Sequence, residues 1–129
     1  MKNATLIEPM GKTHNLEKLL GKQGGLVFVG RRDPCSDIQA AIVLGEKDDG
    51  EPDVAVSVMD GVSRRQAVIT YDPNEDEFYI EDCSTYGTTR INEEHLGKGE
   101  KRRLENGVNL YFGKFGYGPC TFAKKSREN

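Results

Sequence analysis

The chain lacks any long apolar run. Hydrophobic residues fill 36% of its 129 positions, and no stretch of them approaches the ~20 residues of a membrane-spanning helix. The N-terminal MKNATLIEPM has no apolar core of the kind a secretory leader carries. Cysteine is scarce: Cys35, Cys83 and Cys120 form no C-x-x-C pair. An odd count without paired spacing is expected of reduced thiols in a cytosolic or nuclear protein. His14 and His95 stand too far from each other and from the cysteines in sequence to suggest a zinc set. No metal and no cofactor is therefore expected. Paired carboxylates and a nucleophile next to a base are also missing, which argues against an enzyme. Cys83 and Ser84 have no histidine near them in sequence to activate either.

A strong excess of one charge is missing too. The net charge is −3, and no continuous basic stripe runs along the chain, which argues against direct nucleic-acid binding. The charge is unevenly placed, however. Residues 46–53, EKDDGEPD, hold five acids against one lysine, a local −4, so the rest of the chain carries about +1. The length suits one domain and is too short for two separate cores. We read 1–124 as that domain, 46–53 as an acidic loop insertion, and 125–129 as a tail or the start of a linker.

What is present is a series of short β segments punctuated by turn residues. Strands are expected at 4–8, 26–29, 53–58, 66–71, 77–81, 88–92, 108–112 and 120–123. Asp72-Pro73-Asn74 turns the chain between 66–71 and 77–81, with Pro73 suited to the second turn position. Asn106-Gly107 marks a further turn. Residues 15–20 and 38–44 read equally as strand or helical turn. No repeat and no helical stripe appears. Many short strands with glycine and proline between them predict an all-β sandwich.

Two strings combine hydroxyls with arginine or glycine where strands meet loops: SRRQA at 63–67 and STYGT at 84–88. Ser63 precedes the strand 66–71, and Thr85 follows its hairpin partner 77–81. In an antiparallel pair those ends are adjacent, so the two strings should meet on one edge. Gly30-Arg31 ends an earlier strand, but hairpin geometry alone does not bring it there. A guanidinium, hydroxyls and turn backbone converging on one small anion are what a phosphate reader requires.

The ordered set GR, SRRQA, YIED, STYGT and LENGVNLYFG resembles the forkhead-associated (FHA) domain. The resemblance runs from about Leu26 to Phe122, and weakly back to Ala4. It implies an FHA-type β-sandwich of two twisted, mainly antiparallel sheets with about eleven strands. It also implies a phosphothreonine-containing protein as partner. By resemblance, Arg31, Ser63, Arg64, Thr85 and Tyr86 would contact the phosphopeptide. Gly30, Gln66, Ser84, Gly87, Thr88 and Asn92 would support the site. Two positions depart from the family pattern. Gln66 stands where the family has a loop-bracing histidine, and Tyr86 replaces an asparagine that hydrogen-bonds the ligand backbone. STYGT and FGKFG are similar to the nibrin branch of the family, in which an aromatic fills the slot of Tyr86. That likeness implies the nucleus and the DNA-damage response, with the cytoplasm as the alternative location.

Other charges have plainer readings. Arg65 is expected on the sheet surface, Lys101-Arg102-Arg103 in a solvated turn, and Glu46–Asp53 in a solvated loop. The alternative to phosphothreonine reading is a phosphate-independent interaction module on the same scaffold, for instance a homodimer. Gln66 and Tyr86 motivate that alternative.

Overall fold

Apolar side chains at every second position bury one face of a sheet, and two such sheets must close on each other. The computed structural model describes residues 3–22, 25–47, 50–51, 54 and 56–125 and has this arrangement. Its elements run β1 (Asn3–Ile7), β2 (Thr13–Asn15), α1 (Leu16–Lys22), β3 (Leu26–Gly30), β4 (Ile42–Val43), α2 (Val56–Met59), β5 (Ala67–Asp72), β6 (Glu77–Asp82), β7 (Thr89–Ile91), β8 (Glu94–His95), β9 (Lys101–Leu104), β10 (Asn109–Phe112) and β11 (Tyr117–Lys125). One sheet has the order β2-β1-β11-β10-β7-β8 and the other β4-β3-β5-β6-β9. Every strand pair is antiparallel except β3 with β4. The expected sandwich of about eleven strands is therefore present.

The core lies between the sheets. Ile69, Phe78, Ile80 and Leu104 face it from one side, and Leu6, Leu110, Phe112 and Phe122 from the other, all fully buried. The Phe78 and Phe122 rings meet across the interface with centroids 5.6 Å apart. Burial of each such side chain contributes about 1.5–3 kcal/mol. Among the described residues no helix is long and apolar enough to cross a membrane.

Several segments differ from the sequence reading. Val56–Met59 is a single helical turn where alternating valines predicted a strand; Asp53 and Ala55 of that stretch lie outside the described residues. Val58 and Met59 pack against the core from this turn, so tertiary packing overrides β propensity. Lys101-Arg102-Arg103 is strand, not turn: β9 pairs with β6, anchored by the buried Leu104 opposite Phe78. A basic edge strand is a common guard against edge-to-edge association. Asn15 opens α1, its side-chain oxygen accepting the Lys18 N–H at 3.1 Å. Of residues 38–44 only Ile42–Val43 form a strand. β11 extends through Lys125, and Lys124 pairs with Glu77 at 2.8 Å. Of the tail expected at 125–129, residues 126–129 lie outside the described residues, as do Asp48, Asp49, Pro52 and Asp53 of the acidic insertion. Glu46, at the start of that insertion, holds Arg32 through two bonds of 2.7 Å.

Strand register positions the loops. Ala67 of β5 is paired with both Val29 of β3 and Asp82 of β6. The end of β3, the beginning of β5 and the end of β6 therefore lie side by side at one edge.

Candidate functional site

Gly30 is the reason the first of these loops can touch the second. Any Cβ there would collide with the Arg64 carbonyl and lie 2.8 Å from that of Ser63. Without one, the Arg31 N–H reaches the Ser63 carbonyl oxygen at 3.2 Å. Arg31, which hairpin geometry could not place, is thus fastened to the 63–67 string.

Arg31 is half-buried, and its charge acts on the nearby Asp33 carboxylate without forming an ion pair with it. One of its terminal nitrogens donates to the Arg32 carbonyl at 3.1 Å. Its Nε is buried with no hydrogen-bond partner, and no carboxylate lies within ion-pair distance among the described residues. Ser63 is fixed through its backbone, its N–H held by Gln66 and its carbonyl by Arg31. Its Oγ accepts the Thr85 N–H at 3.5 Å, which leaves the hydroxyl proton available to an acceptor. The Thr85 side-chain hydroxyl makes no hydrogen bond among the described residues. Arg64 is exposed, and its guanidinium lies 3.3 Å from Asp33. The Cys35 N–H and then Arg64 hold the Asp33 carboxyl below its ordinary range. Arg31, Ser63, Arg64 and Thr85 together line a cleft of about 610 Å³ on one side and one of about 630 Å³ on the other. Tyr86 rims the second cleft, 87% exposed.

A buried polar network supports these groups. Gln66, fully buried, accepts the Ser63 N–H at 2.9 Å and donates to the Thr88 and Thr89 hydroxyls at 3.1 and 3.0 Å. One amide thereby joins both loops, in the position where the family's histidine would stand. Asp82 accepts the Ser84 hydroxyl at 2.8 Å and that of Thr89 at 2.6 Å. Because the Ser84 proton points to Asp82, its oxygen is free to accept the Thr88 N–H at 2.8 Å. Ser84 and Asp82 thus hold the 84–88 turn from beneath, and Gly87 closes it at φ +66°, a region that favours glycine.

Asn92 is the one expected support residue that does not reach this edge. It sits past the far end of β7 and pairs with Asn109, its N–H bonded to that carbonyl at 2.7 Å. Asp33, Asp82, Thr89 and Lys98 were missed by the sequence reading. Asp82 is the last residue of YIED and carried a signal, a carboxylate two residues before a serine. Lys98 carried none: it comes from the β8–β9 connection and donates to the Thr85 carbonyl at 3.3 Å. Arg65 stacks over Phe28 on the sheet surface, 4.6 Å from its ring centre. Cys83 lines the first cleft, and burial followed by the Glu81 and Asp82 carboxylates pushes its thiol up in pKa. That direction disfavours the thiolate at neutral pH. Among the described residues no group of three or more His, Cys, Asp or Glu is placed to hold a metal.

The family model of the FHA domain matches residues 27–113. No curated protein is significantly similar in sequence to the chain. Among solved structures, an FHA domain studied for phosphothreonine-dependent interactions superimposes with a TM-score of 0.65 at 18% identity, covering 97% of this chain and 99% of that one. The FHA domain of an Arabidopsis thaliana hypothetical protein gives 0.65 at 15% identity, over 100% and 91%. The N-terminal FHA domain of S. cerevisiae Rad53p, in complex with a phosphothreonine peptide, gives 0.62 at 14% identity, over 95% and 94%.

Proposed function

This chain belongs to the forkhead-associated family, and from that premise we propose that its loop edge binds phosphothreonine in a partner protein. The observation that carries the reading is the Arg31 guanidinium, which among the described residues makes no ion pair and has an unpartnered Nε, beside Ser63, Arg64 and Thr85. A phosphate brings a charge of about −1.5 to −2 and three strong acceptor oxygens. Arg31 and Arg64 neutralise it, and the free Ser63 and Thr85 hydroxyls donate to it. Tyr86 lies against the peptide. Gly30, Gln66, Ser84, Gly87 and Thr88 keep the loops in place, and Asn92 holds the far end of β7. The likeness to an FHA domain studied for phosphothreonine-dependent interactions and to one in complex with a phosphothreonine peptide supports this reading. The domain acts as a binding module, and its likeness to the nibrin branch leads us to place it in the nucleus, in the response to DNA damage.

Binding of a phosphothreonine peptide library, read by fluorescence anisotropy against unphosphorylated twins, tests the proposal. Each charge-assisted bond is worth about 1.5–3 kcal/mol, so Arg31→Ala or Ser63→Ala should weaken binding by about tenfold or more. Arg64→Ala should do worse than lose one donor, because it leaves the Asp33 carboxylate unpaired beside the phosphate. If no phosphopeptide outbinds its twin, the proposal fails.

The exposed Tyr86 keeps a second reading open, a phosphate-independent dimer with that ring at its centre. Light scattering separates the two: a tight dimer indifferent to phosphopeptide would favour it.

A further inference from the structure

A third cleft, of about 350 Å³, opens beyond Thr88, lined by Arg90, His95, Lys114, Phe115 and Gly116 and, among the described residues, by no acidic side chain. Its basic groups are arranged by the fold. Register sets His95, Arg90 and Tyr111 in one row across β8, β7 and β10. The Arg90 guanidinium stacks over Tyr111, 4.9 Å from the ring centre. It is pressed against Gly116, where a Cβ would come within 2.7 Å of its Nη2. From the β10–β11 turn, Lys114 lies 5.7 Å from the centre of the Phe115 ring, which is 60% exposed. Neither Arg90 nor Lys114 has a carboxylate within ion-pair distance among the described residues. Stacking leaves the N–H edge of a guanidinium free, so Arg90 is held in place and still has donors to offer.

This cleft is continuous with the loop edge. Thr88 and Lys114 line both it and the cleft that contains Arg31, Ser63 and Thr85. The Gly113 N–H bonds the Thr88 carbonyl at 2.9 Å and the Lys114 N–H that of Gly61 at 2.8 Å. The two sites therefore sit on one rigid surface. Among the described residues the joining cleft contains one acid, Asp60, and the outer one none.

We infer that Arg90, His95 and Lys114 form a second anion subsite, which takes an acidic or a second phosphorylated side chain of the same ligand. The inference rests on the phosphothreonine reading of the loop edge, because a shared ligand must occupy both. A peptide is favoured over nucleic acid because the subsite is small and the chain as a whole carries −3.

The test compares phosphothreonine peptides that carry glutamate, phosphoserine or glutamine at successive positions on either side of the phosphothreonine. Dissociation constants are measured at low and high salt for the wild type and for Arg90→Gln/His95→Gln. Exposed ion pairs are individually weak, so the wild type should prefer the best acidic peptide by about three- to tenfold over its glutamine counterpart. That preference should shrink in high salt, and the double variant should lose it. Phosphoserine exceeding glutamate would identify a second phosphate as the natural occupant; equal gains would identify general acidity. The double variant's affinity for the glutamine peptide should match the wild type, which also reports on its folding. Equal binding of acidic and neutral peptides, or a preference that survives the double substitution, overturns the inference and leaves the loop-edge function standing. If no phosphothreonine peptide binds at all, both fall. Arg90-dependent retention of a short oligonucleotide, with no acidic-peptide preference, would assign the cleft to nucleic acid instead and overturn the inference.

Discussion

Gln66 has a larger task than its single amide suggests. Its carbonyl oxygen and its amino group both find partners in the interior, and those partners belong to two different loops. Replacing it with leucine fills a similar volume but leaves the part-buried Ser63 N–H without its acceptor, while the two threonine hydroxyls lose the amide donor and keep their bonds to Asp82 and Ser84. A buried group left unsatisfied costs about 1–3 kcal/mol. Gln66→Leu should therefore lower stability in urea unfolding by about 1–3 kcal/mol, and phosphopeptide affinity should fall with it. A variant with wild-type stability and affinity would show that the amide braces nothing.

At the scale of elements, the turns set the sandwich as much as the strands do. Asn92, in the turn between β7 and β8, has φ +53°, a left-handed backbone that asparagine tolerates and alanine resists. Its side-chain oxygen also accepts the Asn109 N–H at 3.1 Å, which ties the turn to β10. Asn92→Gly keeps the backbone and loses the bond, whereas Asn92→Ala loses both. Urea midpoints should fall in that order, with alanine costing about 1 kcal/mol more than glycine. Equal midpoints would mean that the turn relaxes without strain. The short β9 shows the same dependence on context, since one buried leucine and a pairing partner make a strand of a basic segment.

At the scale of the whole molecule, one buried carboxylate holds parts of both sheets. Glu8, 3% exposed, bonds His14 at 2.6 Å, the Tyr117 hydroxyl at 2.7 Å and the Gly45 N–H at 2.8 Å. It thereby links β1, β2 and β11 to the chain just after β4. Burial alone would raise its pKa, but the bonds from His14, Gly45 and Tyr117 outweigh that and hold it below the ordinary 4.5. A carboxylate depressed in the folded state stabilises fully above its unfolded pKa and loses that contribution as pH falls through the folded value. Unfolding free energy should therefore decline as the pH drops below about 4.5. Glu8→Gln should be less stable at neutral pH and decline less steeply in acid. Identical pH slopes for the two proteins would remove Glu8 from the account.

The order of apolar and turn residues was enough to determine a two-sheet β fold, and one hairpin was enough to bring Ser63 and Thr85 together. Those features are local: a period of two and a short turn are written in adjacent residues. The arrival of Arg31, the role of Gln66 as a tie between loops, Lys98 on the Thr85 carbonyl and the basic cleft around Arg90 were decided by tertiary structure. Each depends on register between strands distant in the chain, and register is set by which side chains fill the shared core. The helical turn at Val56–Met59 belongs with them, since only the packing of Val58 and Met59 distinguishes it from the strand its valines suggest.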